Sequence, residues 1–154
     1  MATDTASVVL VDAILTALQD EDTGLPPALE TAGLPAVKQW CFGQRERPPI
    51  TACPQLQVDL AGYDQPGRFG ADMRRLNSIV VIAVLAAPNE ETLHRQLLGY
   101  GDVLCGVMET ITPQLHITNV DTTPSFRPEG ANQLFRAVAV EAEVIGKLHH
   151  VGDI

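Results

Sequence analysis

Residues 79–91 read Ile79-Val80-Val81-Ile82-Ala83-Val84-Leu85-Ala86-Ala87-Pro88-Asn89-Glu90-Glu91, and their reading decides the fold. The first seven are all apolar. Successive strand residues point to opposite faces, so a strand apolar on both belongs in mid-sheet with cover on both sides. Pro88 then ends the run, and a helix start follows. The Asn89 side chain can accept from an otherwise orphaned backbone N–H, and Glu90 and Glu91 complement the positive end of the helix dipole. Leu93, Leu97, Tyr100, Leu104, Val107, Met108 and Ile111 continue at helical spacing as one apolar stripe. The spacing predicts a long helix with its exit at Thr112-Pro113, because proline disfavours helical geometry in the preceding residue. Gly99, Gly101 and Gly106 weaken it by about 1 kcal/mol each relative to alanine, and permit close approach to a sheet or a neighbouring subunit.

Upstream, Gln55-Leu56-Gln57-Val58-Asp59-Leu60 alternates strictly. Leu56, Val58 and Leu60 take one face and the polar residues the other, which predicts a half-buried strand. Gly62–Gly70, with Pro66 and Gly67, reads as a turn or hairpin tip before a strand from Met73 to Ala87. Val8, Val11, Ile14, Leu15 and Leu18 predict a first helix, capped by Thr3, Asp4 or Thr5. Acidic residues after it, Asp20, Glu21 and Asp22, oppose the helix dipole and predict fraying there. Residues 25–54 form an extended proline-rich segment, with a short strand within Val37–Phe42 and a loop over 44–49.

Downstream, a strand is expected over His116–Phe126, with Pro124 marking an edge or bulge. Glu129–Asn132 is a turn. The last strand, Gln133–Gly146, sets Leu134, Arg136, Val138, Val140, Ala142 and Val144 on one face. Residues 147–154 read as a loose tail. The order predicts a single α+β domain over 1–154: a mostly antiparallel sheet of four to five strands packed against two helices.

Composition bounds the function. The chain has 154 residues, 45% hydrophobic, with formal net charge -9. That is enough apolar material for a core, and an acidic surface disfavours a groove that grips duplex phosphates. Residues 1–30 carry six acids and no Lys or Arg, whereas the rest carries 13 acids and 10 bases, so the imbalance is local. No apolar run reaches the roughly 20 residues of a membrane helix, and Met1–Asp4 lacks a signal-peptide start. Soluble behaviour is the expectation.

Candidate chemistry is sparse. His149 and His150 are adjacent, so they diverge in a strand or a helix and make poor co-ligands; no metal is expected. Cys41, Cys53 and Cys105 are odd in number with no C-x-x-C pair, and read as free thiols; Cys105 lies beside the long helix's apolar stripe, as a buried small hydrophobe. Gly99-Tyr100-Gly101-Asp102 falls inside a helix, and Gly146-Lys147-Leu148 lacks a hydroxyl, so nucleotide binding is not indicated. Glu141 and Glu143 share the solvated face of a strand. Neither a cofactor nor catalytic residues are expected. Arg45, Arg47, Arg68, Arg74, Arg75 and Arg127 lie in loops or at strand ends. Together with the acid-rich first segment they suit head-to-tail self-association, or equally ordinary solvated charge.

The ordering of these pieces resembles the tail terminator (tail completion) proteins of long-tailed bacteriophages, including the Mu-type and lambda-type minor tail proteins. The residues that carry the resemblance are the helix Val8–Leu18 before Leu34-Pro35-Ala36-Val37, the strand Leu56–Leu60, the tip Gly62–Gly70, Arg74-Arg75-Leu76 leading into Ile79–Leu85, the Tyr100-Gly101-Asp102 helix and the closing strand Phe135–Val144. They span most of residues 5–146.

The resemblance implies an α+β subunit that assembles into a hexameric ring, which caps the tail tube, stops its polymerisation and faces the head connector. Its partners would be itself, the tail tube protein, the head–tail connector protein and DNA passing through the lumen without specific binding, with no membrane. It would sit in the virion tail or neck after assembly in the host cytoplasm. The family brings no catalytic residues. By analogy, Tyr63, Arg68 and Phe69 of the tip, with Arg74, Arg75 and Arg127, are the expected interface. The alternatives are a head–tail connector or neck protein of the same virion, and a small-ligand-binding or enzymatic α+β domain.

Overall fold

A computed structural model of the chain describes residues 5–64, 74–111 and 114–147; for Arg74 and Lys147 it describes the backbone. The elements are α1 (Ala6–Gln19), α2 (Leu25–Ala32), β1 (Gln39–Phe42), a 3-10 turn (Ile50–Ala52), β2 (Gln55–Tyr63), β3 (Arg74–Ala87), α3 (Glu90–Met108), β4 (His116–Thr122) and β5 (Leu134–Lys147). The five strands form one sheet in the order β1-β2-β3-β5-β4. β3 lies at its centre, as its apolar run requires. It pairs antiparallel with β5 along its whole length, from Arg74 opposite Lys147 to Ala87 opposite Leu134. β4 pairs antiparallel with the far side of β5, so α3 links two strands of the same direction with β5 between them.

The architecture is the expected α+β sheet, mostly antiparallel, with two corrections. First, three helices are present rather than two. α2 occupies the start of the segment expected to be extended. Pro26 and Pro27 fall in its first turn, where backbone N–H groups have no intrahelical partner and proline's missing donor costs nothing. Gly33 ends it at φ 71, the left-handed conformation that closes a helix, with Leu34 N–H donating to the Leu29 carbonyl. Second, β1 and β2 pair in parallel, Trp40 opposite Leu56. A parallel pair cannot be joined by a hairpin, so residues 43–54 must travel back along the sheet.

The helices cover one face. Val11, Ile14 and Leu18 of α1, Leu25 and Leu29 of α2, and Leu93, Leu97, Tyr100 and Leu104 of α3 bury against Leu56, Val58, Ile79, Val81, Leu85, Val138 and Val140. Asn89 caps α3 as expected, accepting from Thr92 N–H at 2.8 Å. α3 ends at Met108, short of Thr112-Pro113, with Ile111 folded back into the core. The Tyr100 hydroxyl donates to the Pro35 carbonyl, which ties α3 to the chain leaving α2. Asp20 is the residue that closes α1. Its carboxylate accepts from Asp22 and Thr23 N–H at 2.8 and 2.9 Å, and these bonds fix the acidic corner between α1 and α2.

Candidate functional site

The returning segment 43–54 lies on the sheet face opposite the helices, and its placement creates a groove. Gly43, at φ 90, turns the chain out of β1 and donates to the Val58 carbonyl at 2.7 Å. A line of amides then holds the segment. The Arg45 N–H donates to Gln57 Oε1 at 3.2 Å, Gln57 Nε2 to Gln55 Oε1 at 2.7 Å, and Gln55 Nε2 to Gln39 Oε1 at 2.6 Å. Gln55 and Gln57 are buried, 4% and 3% exposed. This corrects the half-buried reading of β2 at its start: the polar residues face covering chain, not solvent. Their amides must pair once buried, and one another's carbonyls supply the partners.

The floor of the groove is apolar. Cys53, Val84 and Phe135 form a second small buried cluster with Ile50, Ile82, Ala86 and Ala137 against it. Phe126 forms the far wall, joined to Phe135 by paired backbone hydrogen bonds of 2.9 and 2.8 Å. The Arg47 guanidinium sits 4.7 Å from the Phe126 ring centroid and 5.4 Å from that of Phe135. Such contacts contribute about 0.5–1 kcal/mol at exposed positions. Arg45 completes the rim, whereas Arg136, paired with the core residue Leu85, turns its side chain toward α3. Arg136 Nε donates to the Thr123 carbonyl at 2.8 Å and Nη1 to His94 Nδ1 at 2.7 Å, so that histidine nitrogen is an acceptor here. The cavity is about 300 Å³, and no carboxylate is among its lining residues.

Of the residues expected at an interface, the described side chains are those of Tyr63, Arg75 and Arg127. Tyr63 and Arg75 meet at the other end of the sheet, the guanidinium 4.0 Å from the ring centroid. Arg75 is only 6% exposed and donates to Ser7 Oγ of α1 at 2.7 Å, which makes it a pin between β2, β3 and α1. Arg68 and Phe69 lie outside the described residues, as does the Arg74 side chain. Arg127 is exposed beside Phe126, at the groove end. Arg75 is opposite Gly146 and Ala86 opposite Phe135. At about 3.3 Å per residue, these two positions of β3 lie about 36 Å apart.

The thiols are not poised for attack. Burial pushes Cys53 up to about 11, with Lys38 pulling slightly the other way, and its Sγ–H faces the Pro49 carbonyl at 3.7 Å. Burial, then Glu109 and Asp102, also raise Cys105. A second open cleft, about 560 Å³, runs between the end of α3 and β4–β5, bordered by Glu109, His116 and Glu143. Among the described residues no three His, Cys, Asp or Glu side chains are grouped to hold a metal. No described helix is long and apolar enough to cross a membrane.

No protein-family model matches the chain, and no curated protein does. Among solved structures, one similar chain comes from the virion of a native gene transfer agent particle. The likeness has a TM-score of 0.40 at 14% identity, over 92% of this chain and 100% of that one.

Proposed function

We propose that this chain is a structural virion protein: a ring-forming subunit that caps a phage tail tube, ends its polymerisation and joins the tail to the head connector. The observation that carries the reading is a sheet whose two edges, unpaired among the described residues, are unlike. One edge is β1, four residues long, with Phe42 40% exposed; the other is β4, seven residues of which all but Ile117 are exposed, including Val120 at 43%. Free edges offer unpaired backbone donors and acceptors that invite another chain. Because the two edges differ, contact between them is head-to-tail rather than two-fold, and head-to-tail contacts form a ring when the rotation between copies closes and an open filament when it does not. The order of elements in the tail terminator resemblance supports the same role. The tube protein, the connector protein and passing DNA are the partners that role requires; an acidic wall would let DNA slide, since like charge prevents tight phosphate contacts.

The test is functional. Purified subunit is added to polymerising tail tube protein, and tube length is followed by electron microscopy. Tubes that stop growing and carry a terminal ring support the role. Tubes that elongate unchanged, with no density at either end, contradict it. Binding to filled heads but not to tubes would move the protein to the neck.

A further inference from the structure

The groove and the acidic corner between α1 and α2 are complementary and lie on opposite sides of the molecule. We propose that the groove bounded by Arg45 and Arg47 receives the Asp20-Glu21-Asp22 corner of a second copy of this chain. The inference rests on the ring reading and adds a charged contact to the edge contact given above.

The groove asks for an anionic occupant. Arg45 and Arg47 rim it, no carboxylate lines it, and no described carboxylate lies within ion-pair distance of either; the ion pair among the described residues joins Arg95 to Glu91 on the surface of α3. Arginine forks pair with carboxylates in preference to water when a partner is presented in plane. The groove also asks for some apolar cover, because Phe126 is 51% exposed on its wall. The corner meets both needs. Asp20, Glu21 and Asp22 are all exposed, and Pro26 and Pro27 follow at once in the first turn of α2. The Asp20 turn is rigid, since its carboxylate holds the two N–H groups beyond it, so Glu21 and Asp22 are presented without a large ordering cost.

Placement makes the contact directional. The corner belongs to the helical layer, which packs on the Leu56 and Val58 face of β2, whereas the groove lies over Gln57 and Ile82 on the reverse face. A corner on one side that fits a groove on the other joins copies head-to-tail. One copy's acids then meet the next copy's arginines at every junction.

Charge reversal tests this on the full chain. One variant carries Glu21→Arg and Asp22→Arg, which leaves the Asp20 turn intact. The other carries Arg45→Glu and Arg47→Glu; Arg45→Glu alone is the companion in case losing the Arg47 stack loosens the segment, and circular dichroism confirms folding. Assembly is followed by sedimentation velocity over a concentration series. Each variant alone should need at least about tenfold more protein to assemble than the parent, because like charges now face each other. An equimolar mixture should recover assembly in alternating order, since each groove again meets a corner of opposite sign. Variants that assemble like the parent overturn the contact and leave the ring reading standing. A groove variant that fails while the corner variant assembles normally also overturns it, and gives the groove to another anion, such as an acidic stretch of a different protein. A mixture that stays dissociated overturns it as well. A parent chain that never assembles removes the ring reading itself.

Discussion

Arg75 separates a structural role from an interface role most cleanly. Arg75→Met keeps the apolar stem and deletes the guanidinium. Two contacts are lost: the 2.7 Å bond to Ser7 Oγ and the stack on Tyr63 at 4.0 Å. A hydrogen bond from a charged donor contributes about 1.5–3 kcal/mol and a cation–π contact about 0.5–2 kcal/mol. Part is regained, because a nearly buried guanidinium no longer has to be stripped of water. Ser7 is only half-buried, so its freed hydroxyl can turn to solvent. The net cost is about 2 kcal/mol. For a chain of this length that lowers Tm by about 4–8 °C. Calorimetry at a concentration below assembly is the assay, since self-association would otherwise add its own stabilisation. Ser7→Ala keeps the Tyr63 stack and should lose the hydrogen-bond share, about 1.5–3 kcal/mol. An Arg75→Met variant with unchanged Tm and lost assembly would refute the pin and return Arg75 to the interface suggested by sequence.

Other outcomes follow from particular positions. Gly24→Ala should destabilise the chain, because a Cβ there would lie 2.5 Å from the Leu18 carbonyl oxygen and 2.6 Å from that of Asp20, and backbone must move; denaturant titration reads the loss. Gly106→Ala should do the reverse and raise stability by about 0.5–1 kcal/mol, since nothing lies within 4 Å of the added Cβ in an exposed helix position. Stability should fall in alkali. Cys53 is raised to about 11 from 9.0, so the neutral thiol is the form the fold favours; its contribution is complete below about pH 9 and lost as pH rises through about 11. Tyr100, raised further by burial, deepens the loss above about pH 10. Cys53→Ala should flatten the decline between pH 9 and 11 in denaturant titrations; an unchanged slope would place the effect elsewhere.

Much of this fold is legible because its signals are local and redundant. β3 is apolar at nine consecutive positions, α3 has both a cap and a stripe, and β5 alternates over its full length, so periodicity alone places them. What hides in the sequence is non-local. Pro26-Pro27 reads as a breaker until α2 is seen to begin just before it. Gln55 and Gln57 read as a solvent face because nothing local shows that residues 43–54 return across them. That return follows from β1 and β2 being parallel, a pairing between short segments that no alternation specifies. The one available sign was three glutamines, at 39, 55 and 57, which can satisfy one another once buried. Arg47 was visible as a loop arginine, but its stack on Phe126 and Phe135 joins positions about 80 residues apart in the chain.

The central claim is that the chain acts as one segment of a closed ring. Native mass spectrometry of the full chain, from low to high micromolar, tests it most directly. The account predicts a single oligomer of fixed stoichiometry whose share rises with concentration and falls with added salt. A strictly monomeric species across the whole range, with tail tube present or absent, would contradict it.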